Sequence, residues 1–290
     1  MTAIDIPSGR LATIGTPDPG DPRLRRLSLN QKTTDGWAIP ELVAAVAAAG
    51  GEAVGLWREP VREYGLAATA ALVAETGLRV SSLCRGGFFT SGEDHAIEDN
   101  RRALEEAATL GTDTLVLVVG GLPAGSRDLP AARARVRDAL DALAPYAREL
   151  GVRLAIEPMH PMYTADRGVI ATLGEALDLA EAFPATVVGV VVDCFHTWWD
   201  PQLATQIARA GERIASVQLA DWITPLPPDA LLSRGMLGDG HIDLRAFVAL
   251  TESAGYRGDI EVEIFNADIW AADHTAVLDT IRRRYAEHVV

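Results

Sequence analysis

The chain has 290 residues, 48% of them hydrophobic, which is enough for one domain with a large core, and its 26 Lys and Arg against 40 Asp and Glu give a formal net charge of −14. That balance argues against a nucleic-acid partner, and the lack of any apolar run near the ~20 residues a bilayer span needs argues against membrane insertion. With no basic start or apolar signal core at its beginning, and only two cysteines, Cys84 and Cys194, the chain reads as cytoplasmic.

Residues 1–24 carry Pro7, Gly9, Pro17, Pro19, Gly20 and Pro22 and are expected to form a leader loop. From residue 25 the pattern alternates. Short apolar runs predict strands at 25–31, 53–58, 79–85, 114–120, 153–159, 187–194, 214–220 and 260–265. Between and after them, segments of helical period predict helices at 40–49, 61–77, 97–110, 129–150, 174–183, 201–210, 243–254 and 271–286. Pro40 and Pro201 suit first helical turns, and Gly77, Gly111, Gly151, Gly211 and Gly255 suit helix stops. Strand then helix, eight times, is the sequence form of a (β/α)8 TIM barrel, here a single domain over residues 25–290. The competing architecture is an open doubly wound sheet, but no Gly-x-Gly-x-x-Gly turn follows the first strand to support it. Gly235 to Gly240 is expected to be a mobile part of a long loop after the seventh strand.

Four polar side chains stand near the C-terminal ends of these apolar runs: Glu157, Asp193, Gln218 and Glu263. In a parallel barrel those ends converge on one mouth, and three carboxylates brought together repel unless a cation sits among them. The four make an oxygen-donor set of the kind that Mn²⁺ or Mg²⁺ takes, so they are expected to be metal ligands. Glu261 shares a strand face with Glu263 and either lies deeper or takes the ligand place itself. His160, three residues after Glu157 in a turn bounded by Pro158 and Pro161, is expected to aim its imidazole at the site as a general base, with Glu157 and Glu263 as further catalytic groups. His196, three residues beyond Asp193, is expected to bind a substrate hydroxyl or serve as a fifth ligand, Arg234 to bind substrate oxygens, His241 to contribute from the strand-7 loop, and Trp37 and Trp198, with Trp57, Phe88, Trp199 and Trp222, to ring the pocket with flat apolar surface. Cys84 and Cys194 read as small buried hydrophobes, the latter turned away from the mouth if Asp193 points into it.

Several of these stretches resemble the xylose-isomerase-like barrel superfamily of sugar isomerases, epimerases and lyases, most strongly in the second half. Ile156-Glu157-Pro158 is similar to its strand-5 metal motif, Val192-Asp193-x-x-His196 to its strand-6 motif, Gly238-Asp239-Gly240-x-Ile242-Asp243 to its strand-7 to helix-7 motif, and Tyr256-x-Gly258…Glu263 to its strand-8 motif. The resemblance implies Glu157, Asp193 and Glu263 as metal ligands, with Gln218 where such families usually carry histidine. The Glu157-x-x-His160 arrangement also resembles the catalytic subunits of bacterial C-glycoside deglycosidases. By that resemblance the metal polarises a sugar ketone, a histidine removes the neighbouring proton, and a smaller second subunit is a partner.

The expected function is a metal-dependent enzyme that abstracts the proton α to the carbonyl of an oxidised sugar, with β-eliminating cleavage of a 3-oxo-glycoside as the leading reaction. Ketose epimerisation or aldose-ketose isomerisation is the alternative. From another class, a non-catalytic sugar-binding or scaffold subunit would treat Gln218 as the mark of a lost metal site. The expected partner is a small sugar or glycoside, and a homo-oligomer is compatible with such a barrel.

Overall fold

A computed structural model describes residues 15–90 and 95–290. Residues 1–14 of the expected leader therefore lie outside the described residues; Pro22–Leu24 forms a 3-10 turn capped by Asp21, and Pro17 O accepts a hydrogen bond from Arg282 Nη2 at 2.6 Å.

Seven parallel strands follow in chain order: β1 (Leu27–Asn30), β2 (Ala53–Trp57), β3 (Arg79–Gly87), β4 (Thr114–Val118), β5 (Arg153–Ile156), β6 (Val188–Asp193) and β7 (Ile214–Leu219). A short antiparallel ribbon, β8 (Asp221–Trp222) with β9 (Arg234–Gly235), comes next, and β10 (Ile260–Val262) closes the ring between β7 and β1. Closure is by parallel pairing of Leu27 with Ile260 and of Leu29 with Val262. The Val- and Leu-rich runs form strands because β-branched side chains suit a pleated surface, and both faces are buried: one inside the barrel, the other under the helices.

The helices form the outer layer, and their ends are set by local chemistry. Asp128, Thr172, Asp243 and Asp273 accept N–H bonds at helix starts, and Gly77, Gly111 and Gly151 end helices in the left-handed region. The predicted helix 61–77 is two, Arg58–Tyr64 and Leu66–Thr76, because Gly65 at φ 107 breaks the run. The predicted 271–286 helix is His274–His288, preceded by a separate short helix, Ala267–Ala271, that was not predicted, and the helix predicted from 201 starts at Leu203. Among the described residues, no helix is long and apolar enough to cross a membrane.

Candidate active site at the barrel mouth

Strand β5 ends at Ile156 and β10 at Val262, so Glu157 and Glu263 stand one residue beyond their strands. Their N–H groups extend the ladders, to Leu117 O at 3.2 Å and Leu219 O at 3.0 Å. Asp193 is the last residue of β6 and caps the short helix Cys194–Thr197, with Oδ1 accepting from Phe195 N at 2.7 Å. That cap leaves Oδ2 facing inward. Gln218 pairs in register with both Asp193 and Glu261. All four expected ligands are at most 4% exposed.

The ribbon β8–β9 carries Arg234 over this cluster. Its Nη1 donates to Asp193 Oδ2 at 2.7 Å and its Nη2 stands 3.3 Å from Glu263 Oε2, with the guanidinium against the rings of Phe195 and Phe265. Asp221 holds the following loop, accepting from Trp222 N at 2.8 Å, Gly238 N at 2.9 Å and Ile242 N at 3.0 Å. A Cβ on Gly240 would stand 2.3 Å from Trp222 O, so only glycine fits there. The segment 235–240, expected as a mobile loop, is thus tied to the barrel through β9 and Asp221.

His196, on the Cys194–Thr197 helix, is buried against the carboxylates, its Nε2 at 3.7 Å from Glu157 Oε1 and 3.9 Å from Asp193 Oδ2. Burial, then the charge of Arg234, holds its pKa well below the ordinary value, so the ring is neutral. Both ring nitrogens face N–H donors: His160 N at 3.2 Å from Nδ1, and Arg234 Nη2 at 3.1 Å from Nε2. A neutral ring accepts from only one of them. The backbone amide cannot turn away while the guanidinium can, which puts the lone pair on Nδ1 and the proton on Nε2, facing the carboxylates.

Electrostatics shows a cluster short of positive charge. Burial, reinforced by Glu263 and Asp193, pushes Glu157 well above the ordinary carboxylate range. Burial pushes Glu263 up to about 8, with Arg234 opposing, and raises Asp193 as well. A raised carboxylate pKa means that the folded protein holds protons which the unfolded chain has released; without a cation, that stability is present at low pH and lost as pH rises towards 8. His160 and His196 shift downward, so their opposing contribution is lost only as pH falls through the histidine range near 6.5. Chelated protein is therefore expected to melt about 3 °C or more lower at pH 8.5 than at pH 6.5, and saturating Mn²⁺ to remove most of that difference, measured by differential scanning fluorimetry.

A cavity of about 260 Å³ opens above the cluster, lined among others by Glu157, Glu263, His196 and Arg234. Trp57 and Phe88 line it as expected, and so do Lys32, Cys84, Arg85, Tyr163, Arg167 and Phe265, which sequence reasoning did not place there. Cys84 is buried beside carboxylates and its thiol is pushed well up, so it is no nucleophile; Cys194 donates to Ala220 O at 2.9 Å, away from the cavity. Phe265 had a usable signal, since it follows Glu263 by two residues and shares its side of the chain.

Six residues expected around the pocket, His160, Trp37, Trp198, Trp199, Trp222 and His241, do not line it. His160 does not line the cavity: its ring packs against Trp199 and Trp222 at 5.5 and 5.0 Å between centroids, and its Nδ1 accepts from Met162 N at 3.2 Å. The Pro158–Pro161 turn carries the ring sideways into this aromatic cluster. Trp37 stacks edge-on to His274, Trp198 packs on Trp222, and His241 is exposed beside Thr224. Glu261 lies deeper in the barrel, away from the cavity, and Glu263 takes the mouth position.

The donor set fits a divalent cation. Carboxylate oxygens of Glu157 and Asp193 lie within 4.8 Å of each other, and Gln218 Oε1 is a buried acceptor with no hydrogen-bond partner. With the His196 proton on Nε2, the ligands offered are oxygens, the preference of a hard ion.

A closed parallel barrel with carboxylates, an amide and an imidazole gathered under a small cavity at its C-terminal mouth defines a (β/α)8 barrel with its polar cluster on the face where this fold carries its sites. The chain belongs to the xylose isomerase-like TIM barrel family, whose family model matches residues 43–284. Among curated relatives, the 3-dehydroshikimate dehydratase of Pseudomonas aeruginosa is 30% identical over 248 residues, 81% of this chain and 37% of that protein. The inosose isomerase of Halalkalibacterium halodurans is 25% identical over 153 residues, 52% of each chain. The chain thus spans less than two fifths of the first relative and about half of the second. Among solved structures, protein SMc04130 from Sinorhizobium meliloti 1021 superposes with a TM-score of 0.89 at 45% identity, covering 92% of this chain and 99% of that one.

Proposed function

We propose that this protein is a divalent-metal-dependent lyase that removes the proton α to a ketone and expels a β-hydroxyl as water, from a small polyol-derived substrate that also carries a carboxylate. One observation carries the reading: a single cavity combines the buried carboxylate cluster with two guanidiniums, Arg85 and Arg167, outside it. Arg85 lies over the Phe88 ring at 4.2 Å and makes no ion pair among the described residues; Arg167 Nε is 3.6 Å from Asp166 Oδ2 and lacks a hydrogen-bond partner. A neutral glycoside offers these cations only hydroxyl oxygens, whereas a substrate carboxylate is matched in both charge and geometry by a guanidinium fork. The cavity is also at the small end for ligand sites, which favours a single ring over a sugar joined to an aromatic aglycone. The relative named a 3-dehydroshikimate dehydratase supports dehydration. This reading keeps the expected α-proton abstraction and β-elimination and changes the leaving group.

Glu157, Asp193, Glu263 and Gln218 Oε1 would hold Mn²⁺ or Mg²⁺, which when bound polarises the ketone and offsets the charge of its enolate. Glu263 is the base, because Asn30 Nδ2 at 3.0 Å and Arg234 Nη2 at 3.3 Å favour its charged form, whereas Glu157 lacks such donors. The α C–H bond breaks with its proton passing to Glu263, and the electron pair enters the enolate, becoming the C=C bond to the β-carbon only as the hydroxyl leaves. The β C–O bond then breaks, the departing hydroxide takes the proton back from Glu263, and water leaves. The Nε2 proton of His196 hydrogen-bonds a substrate oxygen and fixes its orientation.

A second reading, epimerisation or isomerisation, is favoured by the placement of Glu157 and Glu263 on β5 and β10, with β6 and β7 between them around the ring. Glu157 would return the proton to the other face of the same enolate, and the inosose isomerase is its relative. A non-catalytic scaffold is disfavoured, since it has no use for three buried carboxylates that cost folding energy.

The test is NMR in D₂O with the Mn²⁺-loaded protein and a panel of 3-dehydroshikimate, inososes, free ketoses and 3-oxo-glucosides. Water loss from the keto acid is expected. Arg85→Gln and Arg167→Gln should each raise KM for it about tenfold, with kcat within about threefold. Cleavage of neutral 3-oxo-glucosides alone, indifferent to both Arg variants, would overturn the carboxylate assignment; deuterium uptake without water loss would establish the second reading.

A further inference from the structure

Beneath the three carboxylates of the proposed metal site lies a fourth buried carboxylate, one that the reaction does not use. Glu261 is fully buried, and all four of its hydrogen bonds are received from side chains: Asn30 Nδ2 at 2.6 Å and Gln218 Nε2 at 3.2 Å on Oε1, Ser81 Oγ at 2.6 Å and Ser82 Oγ at 2.8 Å on Oε2. The barrel makes room for it, because a Cβ on Gly55 would stand 2.5 Å from the Glu261 carboxyl carbon. Gln218 is its direct partner across the β7–β10 pairing.

The chemistry of the two groups sets an orientation. A carboxamide has a donor end and an acceptor end of nearly the same shape, and a buried one settles whichever way its neighbours dictate. A carboxylate receiving four hydrogen bonds accepts only the NH₂ end. Gln218 Oε1 is therefore forced to the opposite side, where it is buried with no hydrogen-bond partner. A buried carbonyl in that state costs free energy unless a ligand meets it. The same Oε1 of Glu261 also fixes Asn30, whose Nδ2 reaches Glu263 Oε1 at 3.0 Å, so one carboxylate steadies two of the proposed ligands.

We propose that Glu261 is a positioning residue that locks the Gln218 amide with its carbonyl oxygen presented to the cation, which lets glutamine serve as an oxygen ligand on β7. The inference rests on the reading of the mouth as a divalent-metal site, and its test reads metal binding without turnover. Glu261→Gln, which can offer its own NH₂ to Gln218 and release the amide, is expected to weaken Mn²⁺ binding about 10- to 100-fold by isothermal titration, with a changed Mn²⁺ EPR spectrum and unchanged circular dichroism. In a Gln218→Leu background, where no amide remains to be oriented, the same Glu261→Gln change should cost less than about threefold. An equal loss in both backgrounds, or unchanged affinity in the first, would overturn the role of Glu261. If Glu261→Gln does not fold, Glu261→Asp withdraws the carboxylate by one methylene and should weaken Mn²⁺ about tenfold. Failure of the unmodified protein to bind Mn²⁺ or Mg²⁺ at millimolar concentration would instead remove the metal-site reading itself, and the positioning role with it.

Discussion

Turnover by the Glu263→Gln variant is expected to fall by about 10³-fold, while His160→Ala stays within about threefold of the unmodified protein. The contrast follows from where the two side chains lie. Glu263 lines the cavity, where Asn30 Nδ2 at 3.0 Å and Arg234 Nη2 at 3.3 Å favour the ionised form that a base needs. The His160 ring lies outside the cavity against Trp199 and Trp222, and its Nδ1 is already occupied by Met162 N. Its tie to the site is the backbone N–H to His196, which alanine keeps. The measurement is kcat under saturating Mn²⁺, with deuterium exchange at the α-carbon followed in parallel. A variant order opposite to this one would return the base to His160.

Arg234→Met is expected to destabilise metal-free protein by ~3–5 kcal/mol, about 10 °C in melting temperature, because removing one partner of a buried ion pair leaves the other charge uncompensated. Arg234 is 5% exposed and touches Asp193, Glu263 and His196 together, so no other guanidinium can take its place without rebuilding the ribbon. Saturating Mn²⁺ should restore part of the loss by supplying positive charge to the same carboxylates. Thermal melts with chelator and with Mn²⁺ check both halves. An unchanged melting temperature in chelator would mean that Asp193, the direct partner of Arg234, neutralises itself by holding a proton, and that Arg234 acts on substrate alone.

The two variants also separate what could be read in the chain from what could not. Glu157, Asp193, Gln218 and Glu263 were legible because a polar residue ending a fully buried strand has few structural excuses, and parallel strands in a barrel end at one mouth. The eight strands and their helices were legible for a similar reason, since burial on both faces forces apolar runs. His160, Trp37, Trp198 and His241 were misplaced because each lies beyond a strand end, in a loop whose path depends on what it packs against. Arg234 was singled out, but not the two-residue ribbon that carries it, which is too short to leave a periodic signal.

By itself the sequence determined the barrel, the family it resembles and the strand ends at which charged chemistry had to gather, because hydrophobic periodicity and strand polarity are local properties. Only the tertiary structure decided the rest: that Glu261 lies beneath the site and Glu263 within it, that His160 stacks away from the cavity, and that Arg85 reaches it from the end of β3 and Arg167 from the loop after β5. Those outcomes depend on register across strands and on contacts between residues far apart in the chain. Such distances are set by packing and are not encoded in any single stretch.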